Sequence, residues 1–280
     1  MDLGVVVTIN NPAESEAQFT KAREAGFSFG QINFAWHGIS PDSVRQVALA
    51  ARSQQFRTVA AGCPINPLRL NEDLLMNVDE RDFIRVVENM AMLDNCRRVV
   101  FWSGTYARHW TEPNLLNHEQ DAYFALVVEL KRLQGRVAGI PTVFTIQPYF
   151  THIIHDVASS ERLNDDFPDG SVRLALNPAY LVTPTLYSHR ASVVPTLIAT
   201  LAPQTEIAYL SDTFLRDDDT FNYPLPGQGA LQMVPVLKSM KANLSAETPI
   251  LLQPPTPLSS AALKGAQGFI NEAATKAGVA

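Results

Sequence analysis

The sequence predicts an α/β fold, and within that class a single (β/α)8 TIM barrel spanning residues 1–280. Three observations lead there. Short β-rich runs and longer helix-patterned segments alternate about eight times along the chain, a unit of roughly 35 residues. Most of the runs are continuously apolar, as parallel strands buried on both faces should be. No Gly-rich phosphate loop follows the first run, where Ile9-Asn10-Asn11-Pro12 stands instead. That disfavours a doubly wound open sheet, the runner-up.

The strands are read at Leu3–Ile9, Phe29–Phe34, Thr58–Ile65, Arg98–Ser103, Thr142–Gln147, Val172–Asn177, Glu206–Ser211 and Pro249–Gln253. Between them lie the helices. Ala13–Ala25 carries an Ala face opposite Lys, Arg and Glu, and Gly26 stops it. Ser40-Pro41-Asp42 opens the next, with Ser as N-cap, Pro at the first helical position and Val44, Val47, Ala48 and Ala51 on one side. Asp79–Leu93 aligns Phe83, Val86, Val87, Met90 and Leu93, and His118–Leu133 aligns Tyr123, Leu126, Val127, Leu130 and Leu133. His189–Leu201, Gln228–Met240 and Ser259–Ala277 follow. After Gln147, Pro148 and scattered His and Asp blur the pattern, and no helix is assigned.

Composition narrows the function. Hydrophobic residues are 46% and charged residues 18%, enough for a core and too apolar for disorder. Net charge is −6, so a broad nucleic-acid-binding surface is not expected. The apolar runs are strand-sized, well short of the ~18 residues a membrane span needs. Cys63 and Cys96 make no disulfide framework and read as buried small hydrophobes. Met1-Asp2-Leu3 lacks the basic start of a secretion signal, so a cytoplasmic, reducing setting is expected.

In such a barrel the working residues lie at the C-terminal strand ends and in the loops beyond them. Those positions hold Asn33, Trp36 and His37; Cys63 and Asn66; Trp102, Arg108, His109 and Trp110; Gln147, Tyr149, His152 and His155; Asn177 and Tyr180; Tyr209, Asp212 and Arg216; and Gln253. All three Trp and four of the six His fall there. Flat aromatic faces with one polar tip suit stacking on a sugar ring. Three apart, His152 and His155 would share a face on a helical turn. Arg108 and Arg216 could hold an anion as bidentate forks, and Asp217-Asp218-Asp219 reads as a solvated loop.

Four segments bring a resemblance: Thr145-Ile146-Gln147-Pro148, Leu176-Asn177-Pro178-Ala179-Tyr180, Tyr209-Leu210-Ser211-Asp212 and Leu252-Gln253-Pro254, with Pro-Leu-Pro-Gly-Gln-Gly at 224–229. In element order the chain resembles the xylose isomerase-like TIM-barrel superfamily, the sugar phosphate isomerase/epimerase group. The resemblance implies Glu-Pro after strand five, Asp-Pro after strand six, His-X-Lys-Asp on strand seven and Glu after strand eight. There, two Glu, the Asp and the His hold one divalent metal, and the two Glu form the acid/base pair. Here those positions are Gln147, Asn177, Tyr209 and Gln253; only Asp212 of the strand-seven motif remains. Neutral amides attract a divalent ion weakly and cannot shuttle protons near neutral pH. The expectation is therefore no metal and no cofactor, and a small carbohydrate or polyol gripped by Gln147, Asn177, Tyr209 and Gln253. Around them stand Trp36, His37, Trp102, Trp110, Tyr180 and Arg216 as further ligand contacts. Two alternatives stay open. One is an active isomerase, epimerase or dehydratase rewired around His152, His155, His109 and Asp212. The other is a non-catalytic subunit of a sugar-modifying complex, and homo-oligomerisation is also left open.

Overall fold

Eight parallel strands close on themselves, each hydrogen-bonded to two neighbours, so the barrel itself has no open edge. The structure is a computed structural model and describes residues 2–70, 78–255 and 259–279. The barrel strands are β1 (Leu3–Ile9), β2 (Phe29–Phe34), β3 (Arg57–Gly62), β4 (Arg98–Trp102), β5 (Val143–Gln147), β6 (Val172–Leu176) and β7 (Thr205–Leu210). β8 (Phe214–Leu215) and β9 (Phe221–Asn222) form a small antiparallel hairpin outside the barrel. β10 (Ile250–Leu252) closes the ring between β7 and β1.

Among the described residues, eight α-helices surround it: α1 (Ser15–Glu24), α2 (Pro41–Ser53), α3 (Glu80–Glu88), α4 (Gln120–Arg136), α5 (Val157–Asp166), α6 (Arg190–Leu201), α7 (Met233–Asn243) and α8 (Ser260–Ala277). The caps are local chemistry. Ser40 accepts from Ser43 N and Ser43 returns the bond, with Pro41 opening the helix. Asp79 with Asp82, and Asp156 with Ser159, repeat this reciprocal arrangement at α3 and α5. Gly278 ends α8 in the left-handed region at φ 70°.

The apolar core has two parts. Between strands and helices, Phe83, Phe101 and Phe144 meet edge to face with centroids 5.2–5.7 Å apart. Inside the barrel, Val6, Val59, Ala60, Val100, Ala175, Ile207 and Leu251 fill the middle, beneath Tyr209.

Most element ends shift by one to five residues from the sequence reading, and three differences have a local cause. β3 stops at Gly62, and Cys63–Asn66 run on as loop into Pro67. α7 starts at Met233 rather than Gln228, because the N–H groups of Ala230 and Leu231 are spent on Thr213 O and the Asp212 carboxylate. α5 forms over a segment to which the sequence assigns no helix. Its sequence, VASSERLNDD, buries only Ser160 and Leu163, so it carries almost no apolar stripe. Its Asp156–Ser159 capping box was the available signal.

Candidate functional site

At the C-terminal end of the barrel, two hydrogen-bonded chains of neutral side chains lie side by side. The first starts on β7. Tyr209 donates its hydroxyl to Gln31 Oε1 at 2.5 Å, Gln31 Nε2 donates to Asn33 Oδ1 at 2.6 Å, and Asn33 Nδ2 donates to Thr8 Oγ1 at 3.3 Å. Gly62 makes this chain feasible: a Cβ there would lie 1.8 Å from Asn33 Oδ1 and 2.6 Å from Gln31 Nε2. The second chain joins three of the positions singled out by sequence. Gln253 Oε1 accepts from Gln147 Nε2 at 3.0 Å and from Asn177 Nδ2 at 2.9 Å. Asn177 Nδ2 also donates to Ser211 Oγ, and Asn177 Oδ1 accepts from the Ser211 hydroxyl and from Ala179 N.

An aromatic wall stands over these chains. Trp102, in register with Gln147, stacks on Trp110 at 4.8 Å and on Tyr180 at 6.0 Å. Tyr149 meets Trp110, Tyr180 and His152 at 5.2–5.3 Å, and Tyr223 meets Tyr180 at 4.5 Å. Tyr149 and Tyr180 are buried, whereas Trp102, Trp110, Tyr223 and Gln253 keep partial exposure. The opening is therefore lined by indole faces and a primary amide.

Titration is suppressed throughout this region. Burial pushes the Tyr149 phenol up to about 12 and raises Tyr180, Tyr209 and Tyr223 still further. Burial lowers His152 to about 4, against a hydrogen bond from its ring to Trp110 O that favours the charged form. The imidazole is neutral at pH 7, with Nε2 2.8 Å from Trp110 O and a buried, unpartnered Nδ1.

The remaining sequence candidates disperse. His155 lies in the same loop as His152 but on its other side, stacked on His118 at 4.0 Å with Nδ1 on Ile153 O. The loop is not helical, so the two do not share a face. His109 bonds Thr111 Oγ1 at 2.8 Å. Asp212 is buried and braces the loop beyond β7: it accepts from Thr213 N (2.9 Å), Leu231 N (2.8 Å) and Gly227 N (3.0 Å). Gly229 passes so near that a Cβ would lie 2.5 Å from Asp212 Oδ1, which explains the small residue there. Trp36 packs on Phe34 at 5.4 Å, His37 pairs with Asp82, and Arg216 is exposed on the hairpin. The sequence reading did not single out Gln31, Ser211 or Tyr223. Gln31 and Asn33 alternate with Gly30, Ile32 and Phe34, and that period of two marks an inward polar row.

The resemblance implies a divalent ion at positions 147, 177, 209 and 253, and these residues are a poor donor set for one. They bring no carboxylate. Gln253 Oε1 and Asn177 Oδ1 each already accept two hydrogen bonds, and the Tyr209 phenol is neutral and engaged as a donor.

Comparison with known proteins places the fold. No protein-family model and no curated protein sequence matches this chain. Solved structures do match in shape. A putative xylose isomerase from Rhodospirillum rubrum superposes with a TM-score of 0.73 at 12% identity, over 97% of this chain and 99% of that one. D-psicose 3-epimerase from Clostridium cellulolyticum, solved with D-tagatose, gives 0.70 at 10% identity over 98% and 99%. A xylose isomerase-like TIM-barrel protein from Mycobacterium smegmatis, solved with magnesium, gives 0.67 at 10% identity over 96% and 90%. The chain has the xylose isomerase-like TIM-barrel fold, with its neutral polar cluster at the C-terminal mouth of the barrel.

Proposed function

We propose that this protein binds a small, uncharged polyhydroxylated molecule, of the carbohydrate or polyol class, at the C-terminal mouth of the barrel and without a divalent metal. The observation that carries the reading is the Gln147–Gln253–Asn177 cluster, in which three amides, standing where the resemblance implies carboxylates, are held by mutual hydrogen bonds. Among the described residues, Gln253 keeps its NH2 and Gln147 its carbonyl free of protein partners. A donor and an acceptor side by side match adjacent hydroxyls. The part-exposed indoles of Trp102 and Trp110 offer the flat face against which a sugar ring packs. The structures it superposes on include sugar epimerases, which supports a ligand of the carbohydrate class. The rewired-catalyst alternative has less behind it, because His109, His155 and Asp212 are engaged in three separate places and His152 is sealed from solvent.

The test is calorimetric titration of EDTA-treated protein with a panel of aldoses, ketoses and polyols. Binding by at least one member is expected, weakened tenfold or more by Gln253→Ala and by Trp110→Ala. Binding that appears only after a divalent ion is restored, and is lost on Gln147→Ala, would overturn the reading. So would the failure of every member of the panel to bind.

A further inference from the structure

Apart from the amide cluster, three metal-ligating side chains from two separate segments converge. His37 lies in the loop after β2. Asp79 and Asp82 open α3, one helical turn apart. His37 Nδ1 is 3.0 Å from Asp82 Oδ2 and 3.9 Å from Asp79 Oδ2, and the three ligand atoms all lie within 4.8 Å of one another. Ligands bound at about 2.1 Å to one octahedral ion stand about 3.0 Å apart when adjacent and about 4.2 Å apart when opposite. The two His37–carboxylate separations already fall in that range.

Capping explains only part of the arrangement. The capping box spends Asp79 Oδ1, which accepts from Asp82 N at 2.9 Å, and one bond of Asp82 Oδ2, from Asp79 N at 3.4 Å. Gly38 N and Ile39 N also donate to the Asp82 carboxylate, at 3.2 and 2.7 Å, and fix its plane. Asp79 Oδ2 is not used by the capping box, and among the described residues its ion-pair contact is His37 Nδ1. Asp82 is 2% exposed, yet among the described residues neither carboxylate has a Lys or Arg within ion-pair distance. Both also act on the buried Cys63 thiol, whose pKa burial raises first and their charges raise further. Two carboxylates therefore face one imidazole with no fixed cation between them. A neutral imidazole with two carboxylates is a donor set for first-row divalent ions.

We propose that His37, Asp79 and Asp82 form a three-ligand site for a first-row divalent transition-metal ion, open to water through the exposed His37. It ties the β2–α2 loop, and with it Trp36, to the start of α3.

The experiment uses the full-length, untagged protein, stripped with EDTA and titrated with Zn2+ and Mn2+ by calorimetry. One ion per chain is expected to bind. His37→Ala should weaken it at least tenfold. Asp79→Asn should do the same, and because Asn remains a good N-cap this second variant keeps α3 intact. Circular dichroism melts of both variants in EDTA should match the parent. Gln147→Ala and Gln253→Ala should leave metal binding unchanged, which separates this site from the barrel mouth. No uptake of either ion, or uptake that neither His37→Ala nor Asp79→Asn weakens, overturns the proposal.

Discussion

Asp212 separates a bracing role from a catalytic one, because the two predict opposite responses to its removal. The carboxylate accepts three backbone N–H bonds of 2.8–3.0 Å, from Thr213, Gly227 and Leu231. Gly227 is exposed, so water can replace the lost acceptor there, whereas Thr213 and Leu231 are buried. Asp212→Ala thus leaves two buried donors unpaired. A hydrogen bond to a charged group contributes about 1.5–3 kcal/mol, so two give roughly 3–6 kcal/mol gross. Relief of burying the carboxylate itself offsets part of this, and a net loss of about 3 kcal/mol is expected. For a chain of this size that is on the order of 6–12 °C in melting temperature. Asp212→Asn keeps one acceptor oxygen for Thr213 and Leu231 and turns an NH2 toward Gly227, so its loss should be about 1 kcal/mol. Equilibrium urea unfolding measures both. A residue held in place for chemistry commonly stabilises the fold when replaced. If Asp212→Ala unfolds within about 0.5 kcal/mol of the parent, the bracing argument is wrong.

Other outcomes follow from the same geometry. Gly62→Ala puts a Cβ 1.8 Å from Asn33 Oδ1 and should cost about 3 kcal/mol, read by chemical unfolding, since the Tyr209–Gln31–Asn33 chain must break or the strands must part. Phe83→Ala removes the hub of the Phe83–Phe101–Phe144 cluster and should cost about 3–5 kcal/mol in the same assay. His152 has a folded pKa of about 4, below its unfolded value near 6.5. Both states are neutral above pH 6.5; below it the unfolded chain takes up a proton that the folded one refuses. Stability should therefore fall by up to about 3 kcal/mol between pH 6.5 and 4, and His152→Phe should flatten that slope in urea titrations across the same window.

The barrel itself was legible in the chain. Eight largely apolar runs sit where the eight barrel strands form, because parallel strands covered on both faces bury most of their side chains. Seven of the eight helices described have apolar spacing that can be read in the sequence; α5 offers only its cap, because it buries so little. The amides at 147, 177 and 253 were equally legible as a set, since each sits beside a Pro at a strand end.

Tertiary structure alone decided what those residues do to one another. The sequence set Gln147, Asn177 and Gln253 at three separate strand ends; closure of the barrel brought positions 106 residues apart into one hydrogen-bonded cluster. Tyr209, read as a lone substitute on strand seven, reaches across the barrel to Gln31, 178 residues away. Ring closure likewise sent His152 inward and His155 outward, a division that linear spacing cannot encode because a loop has no fixed period. Side-chain type is local information, and so is secondary-structure period. Which hydrogen-bond valences remain unspent depends on contacts across the barrel, and those exist only once the last strand has paired with the first.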